Sequence, residues 1–154
     1  MVIGPVAIAV VHTTLTFGIG YPLSRNKFVD LYKNGKSKIH YIHKLVAREW
    51  VPNPDGKRCV DHRDGDPTNN HHENLRAATH SENLMNKKRR KDGSSAFKGV
   101  SFDKNSGKWV VRIKVAGVNK NLGLFEIERD AAEVYNAAAV KFYKEFARLN
   151  IFED

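Results

Sequence analysis

The sequence predicts an α+β chain of two small units in tandem. The first is a strand, loop, strand, helix core; the second is a three-stranded antiparallel sheet packed on one helix. Three observations carry this. Short apolar runs of strand length are bounded by Gly, Pro and Asn. Two stretches, 39–50 and 128–146, have helical spacing. A run of five cations at 87–91, followed by Asp-Gly-Ser-Ser, separates differently charged halves. A chain of 154 residues is long enough for two such units with modest cores. The expected divisions are 1–36 for the leading strands, 37–91 for the first core, 92–96 for a joint and 97–150 for the second unit.

Net charge is +9 with a pI near 9.7, which favours an anionic partner. The single cysteine, Cys59, excludes an internal disulfide and any Cys-rich zinc site, and suits a reducing compartment. Residues 1–24 carry no charge, but Gly4, Pro5, His12, Gly18, Gly20 and Pro22 interrupt the apolar run and no basic residue precedes it. A membrane span or signal peptide is therefore not expected.

Residues 6–11 and 14–18 read as strands, and 21–38 as a hairpin around Asn34-Gly35. The helix at 39–50 places Ile42, Leu45, Val46 and Trp50 on one face, with Lys44, Arg48 and Glu49 outside, and Pro52 and Pro54 end it. His40 and His43 beside these aliphatics read as packing or capping residues. Residues 57–62 suit a strand, 63–73 hold the turn formers Gly65, Pro67, Asn69 and Asn70, and 75–78 form a second strand. Thr79 with Glu82 three residues on is a capping box that starts a helix at His80. His71, His72 and His80 suggest solvent or phosphate contact rather than zinc, and Asp64 and Asp66 shape a turn, since the alternation of a calcium loop is missing.

Within this stretch Asp61 and Asn83 supply hard oxygens of the kind Mg²⁺ accepts, and His62 supplies an imidazole that titrates near neutral pH. Together they are equipment for attacking a phosphodiester. The run I-H-Y-I-H-K-L-V-A-R-E-W-V-P-N-P-D-G-K, with D-H-R-D-G-D-P-T-N-N and E-N-L-R-A-A-T downstream, resembles the HNH homing endonucleases, in the branch whose third signature residue is Asn. The resemblance covers roughly residues 20 to 90. It implies a ββα-metal fold in which Asp61 and Asn83 hold one divalent cation, Mg²⁺ with Mn²⁺ as the alternative. It also implies that His62 is the general base and that Asn74 orients the His62 ring. No zinc site is expected.

Lys87, Lys88, Arg89, Arg90 and Lys91 follow directly behind the nuclease helix and read as a phosphate-contacting tail. Beyond a flexible joint at 92–95, strands are expected at 97–103, 107–115 and 119–125. Alternation in the middle strand puts Trp109, Val111, Ile113 and Val115 on one face and Lys108, Arg112 and Lys114 on the other. The alanine-rich helix at 128–146 lies on the apolar face. Residues 97–121 hold six basic and one acidic side chain; residues 122–154 hold four basic and seven acidic. One face is therefore a basic sheet of a size that a major groove admits.

F-K-G-V, G-K-W-V-V-R-I, L-G-L-F, A-A-E-V-Y-N-A-A-A and A-R-L-N resemble the plant ethylene-response-factor (apetala-2) DNA-binding domain. The resemblance implies contacts from Lys98, Ser101, Asp103, Arg112, Lys114, Asn119 and Asn121. The chain departs from the plant pattern in lacking arginine at Ser101 and Asp103 and tryptophan at Asn121, so the plant sequence preference does not carry over. The reading is a metal-dependent DNA endonuclease acting on double-stranded DNA. A monomer is expected with a dimer as the alternative. The family implies a mobile element of phage origin in the cytoplasm of a bacterial host. The competing classes are a DNA-binding regulator with a non-cleaving HNH core and an RNA-binding or structural basic protein.

Overall fold

The structure, a computed structural model, describes residues 26–33, 36–89 and 92–152. The strands expected at 6–11 and 14–18 lie outside them. The architecture is α+β, with two compact units, 1–78 and 79–154.

In the first unit β1 (Phe28–Lys33) and β2 (Lys36–Tyr41) pair antiparallel, Lys33 opposite Lys36 and Phe28 opposite Tyr41. That pairing draws residues 39–41 into the sheet, so α1 (Ile42–Trp50) starts three residues later than its helical spacing suggests. It ends where Val51, the residue before Pro52, turns extended, because a proline ring disfavours the α conformation in its predecessor. The expected apolar face is also corrected. His43 and Ala47, one turn apart, are the buried pair, whereas Trp50 is 63% exposed. β3 (Cys59–His62) and β4 (Leu75–Ala78) pair antiparallel across the loop, and α1 packs on both.

The second unit opens with α2 (His80–Met85), capped as expected: Thr79 Oγ1 accepts from Glu82 N, and Glu82 reaches back to Thr79 N at 2.7 Å. β5 (Val100–Asp103), β6 (Lys108–Val115) and β7 (Val118–Phe125) form the sheet in that order, and α3 (Glu128–Tyr143) lies on one face. Val100, Val111 and Ile113 meet Ala131, Ala132, Ala139, Tyr135 and Tyr143 in the core. Alanine at these helix positions lets the backbone come close to the sheet. Gly99 is where it comes closest: at φ +78° it carries no Cβ, and one would sit 2.0 Å from the Tyr135 ring. Burial pushes the Tyr143 hydroxyl pKa up; the hydroxyl donates to Lys114 O at 2.8 Å, tying α3 to β6. Asn150 closes the unit. Its side chain bonds both backbone groups of Lys98, and its backbone bonds the Asn136 amide on α3.

The two compact units divide ahead of α2. Met85 packs on the second core, and Lys98 Nζ donates to Met85 O. The joint itself is tied down. Ser94 Oγ accepts from Phe102 N at 2.9 Å, Ser95 Oγ donates to Glu128 Oε1 at 2.6 Å, and Glu128 also accepts from Ala96 N. Serines that read as flexible spacer therefore serve as anchors, because their partners lie far along the chain.

Candidate functional site

The β3–β4 register sets Asp61 directly opposite Arg76. Both are buried, and Asp61 Oδ2 accepts from Arg76 Nε at 2.8 Å and from Nη2 at 2.7 Å. A buried carboxylate stays charged only where a partner offsets its lost hydration, and the guanidinium does so here with two donors on one oxygen. The carboxylate keeps the hard-oxygen chemistry that suits Mg²⁺, but a cation beside it would share it with Arg76.

His62, half-buried at the end of β3, faces Asn70: His62 Nε2 lies 2.9 Å from Asn70 Oδ1. Nε2 donates to that amide oxygen in the tautomer that carries its proton there, so Asn70 fixes the plane of the ring. The side chain of Asn74, the residue expected to orient this ring, is turned to Asp64 and Asn69. Its Oδ1 accepts from Asp64 N at 3.1 Å, and its Nδ2 donates to Asp64 Oδ1 at 3.0 Å and to Asn69 O at 2.8 Å. Asn74 instead holds the loop closed, together with its own carbonyl, which accepts from Arg63 N. Asp64 is the hub. Burial pushes its carboxyl up, but hydrogen bonds from Asp66 N and the Asn69 and Asn74 amides, with His62 nearby, outweigh it and hold the pKa below the ordinary value. Asn83 lies half-buried on α2, one turn after the capping Thr79.

His43, on the first turn of α1, packs edge-on against His62 with ring centroids 5.5 Å apart. It is 8% exposed and its Nδ1 is buried without a hydrogen-bond partner among the described residues. Burial, then the nearby His62 and Lys44, lowers its pKa to about 4. The unfolded imidazole protonates near pH 6.5, so between these values the unfolded chain binds more protons and stability falls as pH falls. His43→Phe removes that term and the unpaired nitrogen. The variant should gain on the wild type by up to about 1.4 kcal/mol for each pH unit below 6.5, in denaturant melts at pH 7, 6 and 5. A constant offset between the two proteins across that range would contradict this.

In the second unit the register places Arg112 opposite Asn121, Lys114 opposite Asn119 and Ser101 opposite Val110. Because Val100, Val111 and Ile113 point to α3, these alternate residues share the sheet's other face, where Arg112, Lys114, Asn119 and Asn121 are exposed. A bulge leaves Leu122 without a partner on β6, so Asn121 falls opposite Arg112. Asp103, opposite Lys108, falls on the same face by alternation. Hydrogen bonds from Ser106 Oγ and Asn105 N hold its carboxyl below the ordinary range, so it closes the β5–β6 turn. Lys98 precedes β5 and is half-buried beside the 87–89 segment; Lys87, Lys88 and Arg89 are exposed. Arg90 and Lys91 lie outside the described residues.

Arg76, Asn70 and His43 were not singled out as site residues from the sequence. Arg76 leaves a signal: it is the one charged residue in the strand Leu-Arg-Ala-Ala, and counting the two strands back from their ends sets it against Asp61.

The strand, pinned loop, strand and capped helix in this order are the elements of a ββα nuclease motif, followed by a sheet-and-helix unit. Known proteins share both parts. Residues 40–85 match the family described as HNH endonuclease. An uncharacterized HNH endonuclease, L560, of Acanthamoeba polyphaga mimivirus is 32% identical over 85% of this chain and 63% of its own length. DNA endonuclease I-HmuI of Bacillus phage SP01 is 38% identical over 38% of this chain and 33% of its own. The AP2-like ethylene-responsive transcription factor AIL7 of Arabidopsis thaliana is 47% identical over 32% of this chain and 10% of its own. No solved structure matches. Residues 40–85 are therefore HNH endonuclease-like, and the C-terminal region is AP2-like. It spans 63% of the mimivirus relative. No helix among the described residues is long and apolar enough to cross a membrane.

Proposed function

We propose that the chain is a divalent-metal-dependent DNA endonuclease that hydrolyses phosphodiester bonds in double-stranded DNA gripped by its basic sheet. The observation that carries this reading is His62, its ring fixed by the hydrogen bond with Asn70, next in sequence to Asp61. Asp61 and Asn83 would hold the cation, Mg²⁺ with Mn²⁺ as the alternative; both side chains offer the hard oxygens this ion takes. When bound, it supplies Lewis-acid stabilisation of charge on the phosphate and the leaving oxygen. The His62 imidazole takes the proton from the attacking water. Asn70 keeps the ring turned for that transfer, and Asn74 keeps the loop from opening. Incubation with supercoiled plasmid should give open circles in Mg²⁺ and none in EDTA.

One observation favours a second reading, a DNA-binding regulator with a non-cleaving core: Arg76 already engages Oδ2 of Asp61. Plasmid left intact across Mg²⁺ and Mn²⁺ would select it. On either reading the sheet grips DNA through Ser101, Arg112, Lys114, Asn119 and Asn121. Neutralising Arg112 and Lys114 as Arg112→Gln/Lys114→Gln should weaken duplex binding and flatten the salt slope by about 0.9 for each phosphate that is no longer neutralised. An unchanged slope in fluorescence anisotropy would take these two side chains off the DNA.

A further inference from the structure

The backbone of His62 is held by strand pairing opposite Leu75 and by its carbonyl, which accepts from Gly65 N at 2.8 Å. The ring beyond it turns on a broad, roughly two-fold torsion, so a fixed backbone does not fix the ring. The hydrogen bond with Asn70 holds one atom, Nε2, and by itself lets the ring swing about that point. His43 supplies a second contact. Its ring meets that of His62 with centroids 5.5 Å apart and planes at 61°, the edge-to-face arrangement that aromatic pairs prefer. His43 is itself confined: it is buried on the first turn of α1, the helix that packs on β3 and β4, and the Tyr41 ring lies tilted beside it at 5.7 Å. Its Nδ1 has no hydrogen-bond partner among the described residues, and its contact with His62 is ring against ring.

We propose that His43 is a positioning residue for the nuclease reaction: its buried ring is the wall that stops the His62 imidazole from swinging about its bond to Asn70. The proposal rests on the reading of His62 as the general base. Proton transfer needs the base within hydrogen-bond reach of the water and aimed at it, and a displacement of about 1 Å is enough to cost about 10²-fold in rate. With Asn70 on one atom and His43 against the ring, the imidazole meets the attacking water already aligned. Burial, then His62 and Lys44, lower the His43 pKa to about 4, so the wall is neutral and does not oppose the proton that His62 takes up.

The test is single-turnover nicking of supercoiled plasmid by the full chain in Mg²⁺ across a range of enzyme concentrations. His43→Ala should lower the maximal rate about 10- to 100-fold and leave the half-saturating concentration within about twofold, because alignment is lost and binding is not. His43→Phe, which returns an aromatic ring without the nitrogens, should bring the rate back to within about threefold of the wild type. In the His62→Ala background, replacing His43 by alanine should cost nothing further, since the ring it positions is gone. Should His43→Ala not fold, His43→Val, which stops short of the ring contact, takes its place. Three-bond couplings across the first side-chain torsion of His62 should report one rotamer in the wild type and His43→Phe and averaging in His43→Ala. A wild-type rate in His43→Ala, no recovery in His43→Phe, or an added loss in the His62→Ala background would overturn the proposal. If the wild type itself failed to nick, the nuclease reading would fall, and the couplings would still decide whether His43 holds the His62 ring.

Discussion

His62→Ala is expected to cut the rate of plasmid nicking by about 10² to 10⁴ while leaving duplex affinity within about twofold, because the proton transfer is lost and the binding surface is untouched. The size of the effect follows from how the ring is held. Asn70 Oδ1 sits 2.9 Å from Nε2, so the ring is fixed before substrate arrives. Asn70→Ala should therefore lower the rate less than removal of the ring does, with affinity again unchanged. A His62→Ala protein with wild-type nicking would end the assignment of the base.

Arg76→Leu should cost about 3 to 5 kcal/mol of unfolding free energy, because it leaves the Asp61 carboxylate buried with its main countercharge gone. The double replacement Asp61→Leu/Arg76→Leu should recover most of that loss, since two apolar side chains in the same space carry no desolvation penalty. Urea denaturation of the three proteins checks both statements. A single variant within about 1 kcal/mol of the wild type would mean that the pair contributes little to the fold. The pair also bears on function, because a guanidinium and a divalent cation both draw on the same carboxylate.

Much of this arrangement was legible in the sequence, because the signals were local. The Thr79–Glu82 capping box marks α2 to the residue, and Gly65, Pro67 and the paired asparagines mark the loop between β3 and β4. The AP2-like face was readable from period-two alternation in β6, which the register then extends to Asn119 and Asn121. The rest depended on distance along the chain. Spacing could not choose among Asn69, Asn70 and Asn74 as the partner of His62, since all three lie in one loop and only its closure around Asp64 separates their roles. Residues 39–41 fit a helix by periodicity, but pairing with β1 prevails. Ser94 and Ser95 looked like spacer because Phe102 and Glu128, their partners, belong to elements met later.

The most direct test of the central claim is chemical rescue. Single-turnover nicking by His62→Ala in Mg²⁺ should rise in a saturable way with added imidazole, which enters the space left by the missing ring and takes the proton from water. A variant whose residual rate ignored imidazole, beside a wild type that cleaves, would contradict the account of His62 as the base.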